Sequence, residues 1–516
     1  MSATAQHPRD LRDTLPEDTR PPAVDPAEAA ERLERLEAAA REEMRILGHN
    51  HDWVPEPADG AYNVVVIGGG QAGLGAAFAL SRHRIGRVKV LEAGPEHPEA
   101  VGCWSRYARM QTLRSPKNMK GIEVDIPSLH TERWFRARYG DAAWESISLV
   151  PRLDWNEYLV WYRKVTDADV DFDTTVTVVE PPAEPGGDFT VRATRGGAEV
   201  TYRARRVVFS LGLDGGGGPF VPPVIADLPE ELRAHTEEYI DFPALAGKRV
   251  LVVGAGASGF DNAGMALEHG AAEVLVVERE SEVATRNSLR WMEFPGMQER
   301  FFSLSDDDKW AFGVFNGGLP QPPTQPSVWR AFAHDNFELR ENTTVVSAEV
   351  VGEGAERHLR VGDNHGHTLE CDFIISATGY AVDLGMRPEL ARVVDDIRLW
   401  SDVREEARTH PMGRCPYLGD GFQFLPKEDA GEAARAYIPR LFHFSTGARA
   451  SHGVAGNQLS GIYAGITRIA DRVAADIMVE NWPDFYADFQ AFENIEVTNV
   501  GPHQPGEPWF PQAPRY

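Results

Sequence analysis

Cysteine is nearly absent: the 516 residues hold three, Cys103, Cys371 and Cys415. No two of them form a CxxC pair, and none joins a Cys/His cluster at zinc spacing. That argues against a dithiol reductase and against any metal site, and it fits a reducing cytoplasm. Positive charge is scarce as well. With 52 Lys+Arg against 78 Asp+Glu, the formal net charge is -26, the wrong sign for a nucleic-acid or anionic-membrane surface. Long apolar runs are missing too. The most apolar stretch, Val64–Leu80, is interrupted by five glycines and reads as strand, turn and helix, not as a membrane span. The N-terminus, MSATAQHPRDLRDTLPEDTR, has no apolar h-region and is not a secretory signal.

What is present is ordinary globular material. A hydrophobic content of 42% and a charged content of 25% allow large buried cores, and the length suggests roughly two to four domains. Residues 1–24 are polar and Pro-rich. Asp25-Pro26-Ala27-Glu28 then supplies an N-cap, a first-turn proline and a capping-box acid. Leu33, Leu36, Ala40, Met44 and Leu47 follow at helical spacing, and Gly48 can end the helix. Its apolar stripe either packs on the chain's own body or carries a homo-oligomer contact.

From Tyr62 the pattern becomes apolar runs closed by glycines. Asn63–Ile67 and Val88–Leu91 read as parallel strands around a helix beginning near Ala72. Arg249–Val253 and Glu273–Val277 repeat the design around a helix beginning near Ser258. Phe189–Ala193, Arg205–Leu211, Thr344–Val351 and Phe373–Ser376 are further strands. Gly215–Gly218 with Pro219, Pro222 and Pro223 marks a crossover between domains. The fold class is therefore α/β with two Rossmann-like dinucleotide-binding domains. The division expected is a tail and helix over 1–60, an FAD domain over 61–210, a nicotinamide domain inserted over 211–375, and a second FAD part over 376–516.

The first turn places Gly68, Gly70 and Gly73 between strand and helix. Gly68 permits the tight turn, Gly70 lets a pyrophosphate approach the backbone, and Gly73 allows close helix–strand packing. Glu92, 24 residues after Gly68, ends the second strand where a carboxylate can accept the ribose hydroxyls of an adenosine. The second turn repeats this with Gly254, Gly256, Ser258 and Gly259. Its second strand ends at Glu278-Arg279. Glu278 favours a free ribose hydroxyl, as in NADH, whereas Arg279 suits the 2′-phosphate of NADPH; the reading taken is NADPH through Arg279. Two such sites in one chain point to hydride transfer from nicotinamide to flavin.

From about Tyr62 to about Ile477 the chain resembles the single-component flavin monooxygenases that bind FAD and NADPH on separate Rossmann domains. Gly102-Cys103-Trp104 looks like the family's Gly-x-Trp. Ser115-Pro116-Lys117-Asn118-Met119 and Asp125-Ile126-Pro127 are similar to a stretch lining the flavin. Ala377-Thr378-Gly379-Tyr380 matches the signature at the return into the FAD domain. His235-Thr236-Glu237-Glu238-Tyr239 occupies the place of the family fingerprint, degenerate here because Pro229 and Glu231 stand where Phe and Gly are usual. Thr112–Pro116 and His452-Gly453-Val454 leading to Leu459-Ser460 are more similar to the N-hydroxylating branch. Arg114 replaces an Asn that contacts the flavin in animal-type relatives, and Ala108 stands where ornithine-oxidising enzymes carry a substrate-binding Lys.

The resemblance implies that NADPH reduces FAD, that O2 adds to give a flavin hydroperoxide, and that a nucleophilic substrate takes the distal oxygen. The cofactor carries the chemistry, so no catalytic acid or base is assigned. The cofactor contacts implied include Trp104, Lys117, Ala377, Thr378 and Gly379. Asn457, Gln458 and Leu459 open a helix whose positive end would face the flavin. Arg114, Arg290 and Arg449 are the candidate substrate contacts, for a carboxylate in a low-dielectric pocket needs a cation. The expected reaction is N-oxygenation of a small polar amine, such as the amino acid aspartate, to a hydroxylamine, nitroso or nitro product.

The alternatives are S-oxygenation or Baeyer–Villiger oxidation and, from another class, a flavin-binding sensor or scaffold without turnover. His365 and His367 read as solvated turn residues. Trp155, Tyr158, Trp161 and Tyr162 read as core.

Overall fold

The computed structural model describes residues 20–49, 52–57, 59–95, 100–453, 458–493, 495, 497 and 499–509. Two sheets organise the chain. In the first, the strands run Val170–Asp171, Val88–Leu91, Tyr62–Ile67, Ala198–Phe209, Phe189–Arg195 and Thr174–Glu180 in spatial order, and Leu441–His443 joins parallel to Ala198–Phe209. In the second, five parallel strands run Phe337–Arg340, Glu273–Val277, Arg249–Val253, Phe373–Ser376 and Arg233–His235. The second sheet is parallel throughout, whereas the first is mixed: Phe189–Arg195 pairs antiparallel with both of its neighbours, and its parallel part holds the fully buried Val64, Val65 and Val66. The α/β architecture with two dinucleotide folds is as the glycine spacing predicts.

Each Gly-rich turn leaves its strand where the strand order reverses, the crevice in which such sheets bind ligands. Helix Gln71–Arg82 follows the first turn and helix Ala257–Glu268 the second, each within a residue of the sequence expectation. Strand Ala198–Phe209 starts earlier than the expected Arg205. Its first half pairs antiparallel with Phe189–Arg195 and alternates exposed and buried residues, whereas only its second half enters the apolar parallel core.

The chain crosses between the sheets twice. Gly217–Pro219 and Tyr380–Val382 lie side by side as an antiparallel ribbon. A three-stranded antiparallel sheet, Val345–Val351, His358–Asp363 and Thr368–Cys371, packs on the second unit.

The N-terminal helix runs Pro26–Ile46, with Asp25 Oδ1 accepting from the Ala27 N–H at 2.8 Å. It packs on its own body: Glu43 accepts from the Ser128 N–H and hydroxyl, both at 2.8 Å, and Arg32 donates to the Ala137 carbonyl. The aromatic group on Arg152–Val165 is core. Tyr158 and Tyr162 are fully buried and donate to the carbonyls of Leu129 and Ile122. Helix Leu459–Glu480 lies against Gln71–Arg82 through Ile466 and Gly75. No helix among the described residues is long and apolar enough to cross a membrane.

Candidate active site

The two Gly-rich turns are built alike. Gly68 and Gly254 sit at φ +103° and +108°, a region that penalises any side chain. A Cβ on Gly73 would lie 1.8 Å from the Gly68 carbonyl oxygen, and one on Gly259 would lie 1.9 Å from that of Gly254. These glycines are fixed by the protein itself. Gly70 is different: among the described residues nothing lies within 4 Å of where its Cβ would be. The space over the helix N-terminus is open, and the N–H groups there are free to meet a pyrophosphate. The Gly256 position is equally unobstructed apart from the Gln321 carbonyl at 3.7 Å. Glu92 accepts from the Gly69 and Gly94 N–H groups at 2.7 and 2.8 Å, which aims its carboxylate beside the turn. The residues present therefore fit a dinucleotide at both turns. Ser258 is exposed in the first turn of its helix.

Around the first turn, a Cβ on Gly102 would come within 3.2 Å of Gly70 Cα, so the Gly102–Trp104 segment lies directly on the cradle. Trp104 meets Trp155 edge to face at 6.3 Å, and Trp155 donates to Gln71 at 3.0 Å. Lys117 donates to the carbonyls of Trp144 and Ile147 at 2.6 and 2.7 Å, an anchoring role for its ammonium. Gln458 caps helix Leu459–Glu480, and Leu459 comes against Gly121 of the expected flavin-side stretch. Asn457 lies outside the described residues.

Ala377–Gly379 follows the last strand of the second sheet and stitches the crossovers together. The Ala377 carbonyl backs Gly254, Thr378 Oγ1 donates to the Phe220 carbonyl, and the Gly379 carbonyl accepts from Phe220 N–H and from His235.

Arg114 is half-buried and donates to the Pro322 carbonyl at 2.7 Å. Its guanidinium pKa is lowered by burial, opposed by Asp261 and reinforced by Arg290. Arg290 is exposed and pairs with Glu293 at 3.3 Å. Arg449 is exposed and begins a short helix that packs near Cys415. His452, adjacent in sequence, is buried between Phe422 and Phe302 rings at 3.6 and 4.9 Å, and burial pushes its pKa down to about 3. Arg440 is tied to the Gly187 carbonyl and stacks on Phe189.

Several residues escaped the sequence reading because their partners lie more than sixty positions away. Arg109 donates to the carbonyls of Thr236 and Glu238, and Arg330, paired with Glu268 at 2.5 Å, donates to the Arg109 carbonyl. Burial lowers the Arg109 pKa to about 10, so it stays charged. Asp261 is buried, accepts from Ser327 at 2.6 Å and has its pKa raised by burial. Gln321 Oε1 is buried without a hydrogen-bond partner beside the second turn. The only sequence signal for that loop was its run of turn formers, Gly317 to Pro323. His365 and His367 form a turn around Asp363, whose Oδ1 accepts both N–H groups. No cluster of metal-ligating groups occurs among the described residues.

Residues 65–312 match the family model described as pyridine nucleotide-disulphide oxidoreductase. The FAD-dependent urate hydroxylase of Xanthomonas campestris pv. campestris is 35% identical over 478 residues, covering 91% of this chain and 98% of that protein. The L-lysine N6-monooxygenase of Escherichia coli is 26% identical over 268 residues, covering 45% of this chain and 57% of that protein. Among solved structures, the ornithine hydroxylase of Pseudomonas aeruginosa superposes with a TM-score of 0.61 at 17% identity, over 80% of this chain and 99% of that one.

Proposed function

The chain belongs to the class B flavin monooxygenases, and on that premise we propose that it oxygenates a small, anionic, nitrogen-containing molecule. FAD and NADPH are its cofactors, as in the family. Bound at the two turns, they supply the oxygen-activating ring and the hydride. What the chain's own residues do is orient the two, exclude water and hold the substrate.

The observation that carries the substrate class is the half-buried Arg114 guanidinium. Arg114 has a carbonyl as its hydrogen-bond partner and no ion pair among the described residues, and burial and Arg290 both act against its charge. A half-buried cation so placed gains from an anion, and a carboxylate accepts two parallel N–H bonds from one guanidinium. Arg449, exposed at the start of the short helix Arg449–His452, would be a further contact.

Two readings of the substrate follow. The first is N-oxygenation of an amino acid such as aspartate, supported by the sequence segments Thr112–Pro116 and Leu459-Ser460 and by the fold shared with ornithine hydroxylase. The second is hydroxylation of an anionic heterocycle such as urate. It is favoured by 35% identity spanning nearly the whole of both chains, which is more of the sequence than supports the amine. Both offer an anion to Arg114.

The test is to purify the protein with its flavin and follow NADPH oxidation, O2 uptake and product mass with aspartate, other amino acids, urate, sulfides and ketones. Coupled turnover with an amino acid or with urate, giving a product one oxygen heavier, selects between the two. Turnover with a ketone or sulfide alone would overturn both. Protein that neither carries nor takes up flavin would overturn the monooxygenase assignment itself.

A further inference from the structure

We infer that Trp291 is a stacking platform for the substrate, so that the molecule oxygenated is a flat, conjugated ring and not an open-chain amine. The inference deepens the reading of a small, anionic, nitrogen-containing substrate and rests on it.

Trp291 belongs to the short helix Ser288–Met292, and helix Pro295–Arg300 follows. This stretch is pinned at both ends to parts of the two cofactor sites. At its start, Ser288 Oγ accepts from Gln321 Nε2 and donates to Asn316 Oδ1, both at 3.1 Å. Gln321 is the residue whose backbone carbonyl comes within 3.7 Å of a Cβ on Gly256. At its far end, Gln298 Nε2 donates to Met119 Sδ, 4.0 Å away in the expected flavin-side stretch. Next to it, a Cβ on Gly453 would lie 2.7 Å from the Phe301 ring. The stretch thus bridges the second turn and the flavin side. Nicotinamide and substrate must both reach one flavin ring, so a wall that joins the two sites lines the substrate's approach.

That wall carries aromatic surface which the fold does not use. Met292, Met297 and Phe301 are buried and form a small core of their own, with Leu289 and Phe312 packed against them. Trp291 stays outside that core and is 64% exposed, with Phe294 exposed beside it. Phe294 meets the Trp291 ring edge to face at 5.4 Å, and Phe312 lies tilted to it at 6.4 Å. The two rings steady the indole without covering it. A lone exposed tryptophan is common on protein surfaces; this one differs in its two ring partners and in its place between the sites. A flat ligand laid on its open area gains from burying apolar surface and adds an aromatic contact. An open-chain amino acid has no π-face to offer.

The test assays flavin-loaded protein with urate and with aspartate. Xanthine (a flat ring) and succinate (an anion without one) serve as competitors. The wild type is expected to oxygenate urate and not aspartate. W291A is expected to raise the KM for urate and the inhibition constant of xanthine about tenfold. Its kcat, its inhibition by succinate and its anaerobic flavin reduction by NADPH should stay near wild type. W291L, apolar but without a ring, is expected to match W291A, and W291F to recover most of the loss. Circular dichroism and flavin content of all three should match wild type, because the core beneath the platform does not include Trp291. Urate turnover with a KM unmoved in W291A and W291L, or a loss shared equally by succinate, overturns the inference and leaves the heterocycle reading standing. Slower flavin reduction with an unmoved urate KM assigns the ring to the nicotinamide and overturns it as well. Turnover of an amino acid and not of urate overturns the inference and leaves the amine reading; turnover of neither overturns both.

Discussion

The Arg114 guanidinium donates to the Pro322 carbonyl at 2.7 Å across 208 positions of sequence. A residue of the flavin-side segment thereby holds the loop whose Gln321 carbonyl lies nearest Gly256. Arg290, whose charge acts on Arg114, has no such tie to that loop among the described residues.

That difference separates the two arginines experimentally. Arg290→Ala should raise the KM for the oxygenated substrate by about tenfold to a hundredfold, the range for a lost charged hydrogen bond, with little change in the rate of flavin reduction by the nicotinamide. Arg114→Ala should impair both, because the loop over the second turn loses its anchor. Stopped-flow reduction under anaerobic conditions, set beside steady-state KM, checks this. Equal effects of the two variants on reduction would remove Arg290 from the substrate site.

The cradle glycines offer a cleaner contrast. Gly70→Ala adds a Cβ that meets no protein atom and needs no forbidden backbone angle, so the protein should fold normally and lose FAD affinity by about tenfold or more. Gly73→Ala places its Cβ on the Gly68 carbonyl and should damage the fold as well. Circular dichroism and flavin content, measured together, distinguish them. Full flavin retention in Gly70→Ala would show that the pyrophosphate lies elsewhere.

Glu237 introduces a dependence on pH. It follows strand Arg233–His235 at the crossover, and Glu237 Oε2 is buried without a hydrogen-bond partner. Burial, and then the neighbouring Asp214 carboxylate, push its pKa up from 4.5 to about 7, with Arg387 opposing and Glu238 adding to the rise. A carboxyl raised in the folded state holds a proton that the unfolded chain has released. Its contribution is therefore favourable below 4.5 and is lost as pH rises through about 7. Glu237→Gln should flatten the fall in Tm between pH 5 and 7.5; an unchanged slope would place the titration on another group.

His443 acts in the opposite direction. It is fully buried, neither ring nitrogen has a hydrogen-bond partner among the described residues, and burial with Arg387 nearby lowers its pKa from 6.5 to about 3. The folded state keeps it neutral while the unfolded chain takes up a proton. Stability is present above 6.5 and lost as pH falls toward 3. His443→Leu removes an unpaired polar group from the core and should leave Tm at pH 7.5 equal or higher, while reducing acid lability near pH 5. Urea titrations at the two pH values measure it. A loss of about 2 kcal/mol at pH 7.5 would mean that the imidazole has a partner after all.

The cradles were legible in sequence because their constraints are local. Gly68 and Gly73 touch each other within six residues, and a steric requirement that close leaves its mark in residue type. Glu92 and Glu278 were legible as strand ends for the same reason. Their hydrogen bonds to the turns, from Gly69 and Gly94 to Glu92 and from Ala255 and Glu280 to Glu278, were not. The clamps of Arg109 on Glu238 and of Arg114 on Pro322 depend on how two units meet, which no periodicity records. Arg109 and Arg114 look alike in sequence, and only the fold separates a buried strut on Thr236 and Glu238 from a half-buried cation on Pro322.

The two crossings, Gly217–Pro219 and Tyr380–Val382, are hydrogen-bonded neighbours. The inserted unit therefore enters and leaves through one doorway, with its ends a single strand spacing apart. The ribbon fixes where the inserted unit joins the first, and the clamps of Arg109 on Glu238 and of Arg114 on Pro322 fix how it faces it, so a nicotinamide domain moved at this seam would have to carry both acceptor carbonyls with it.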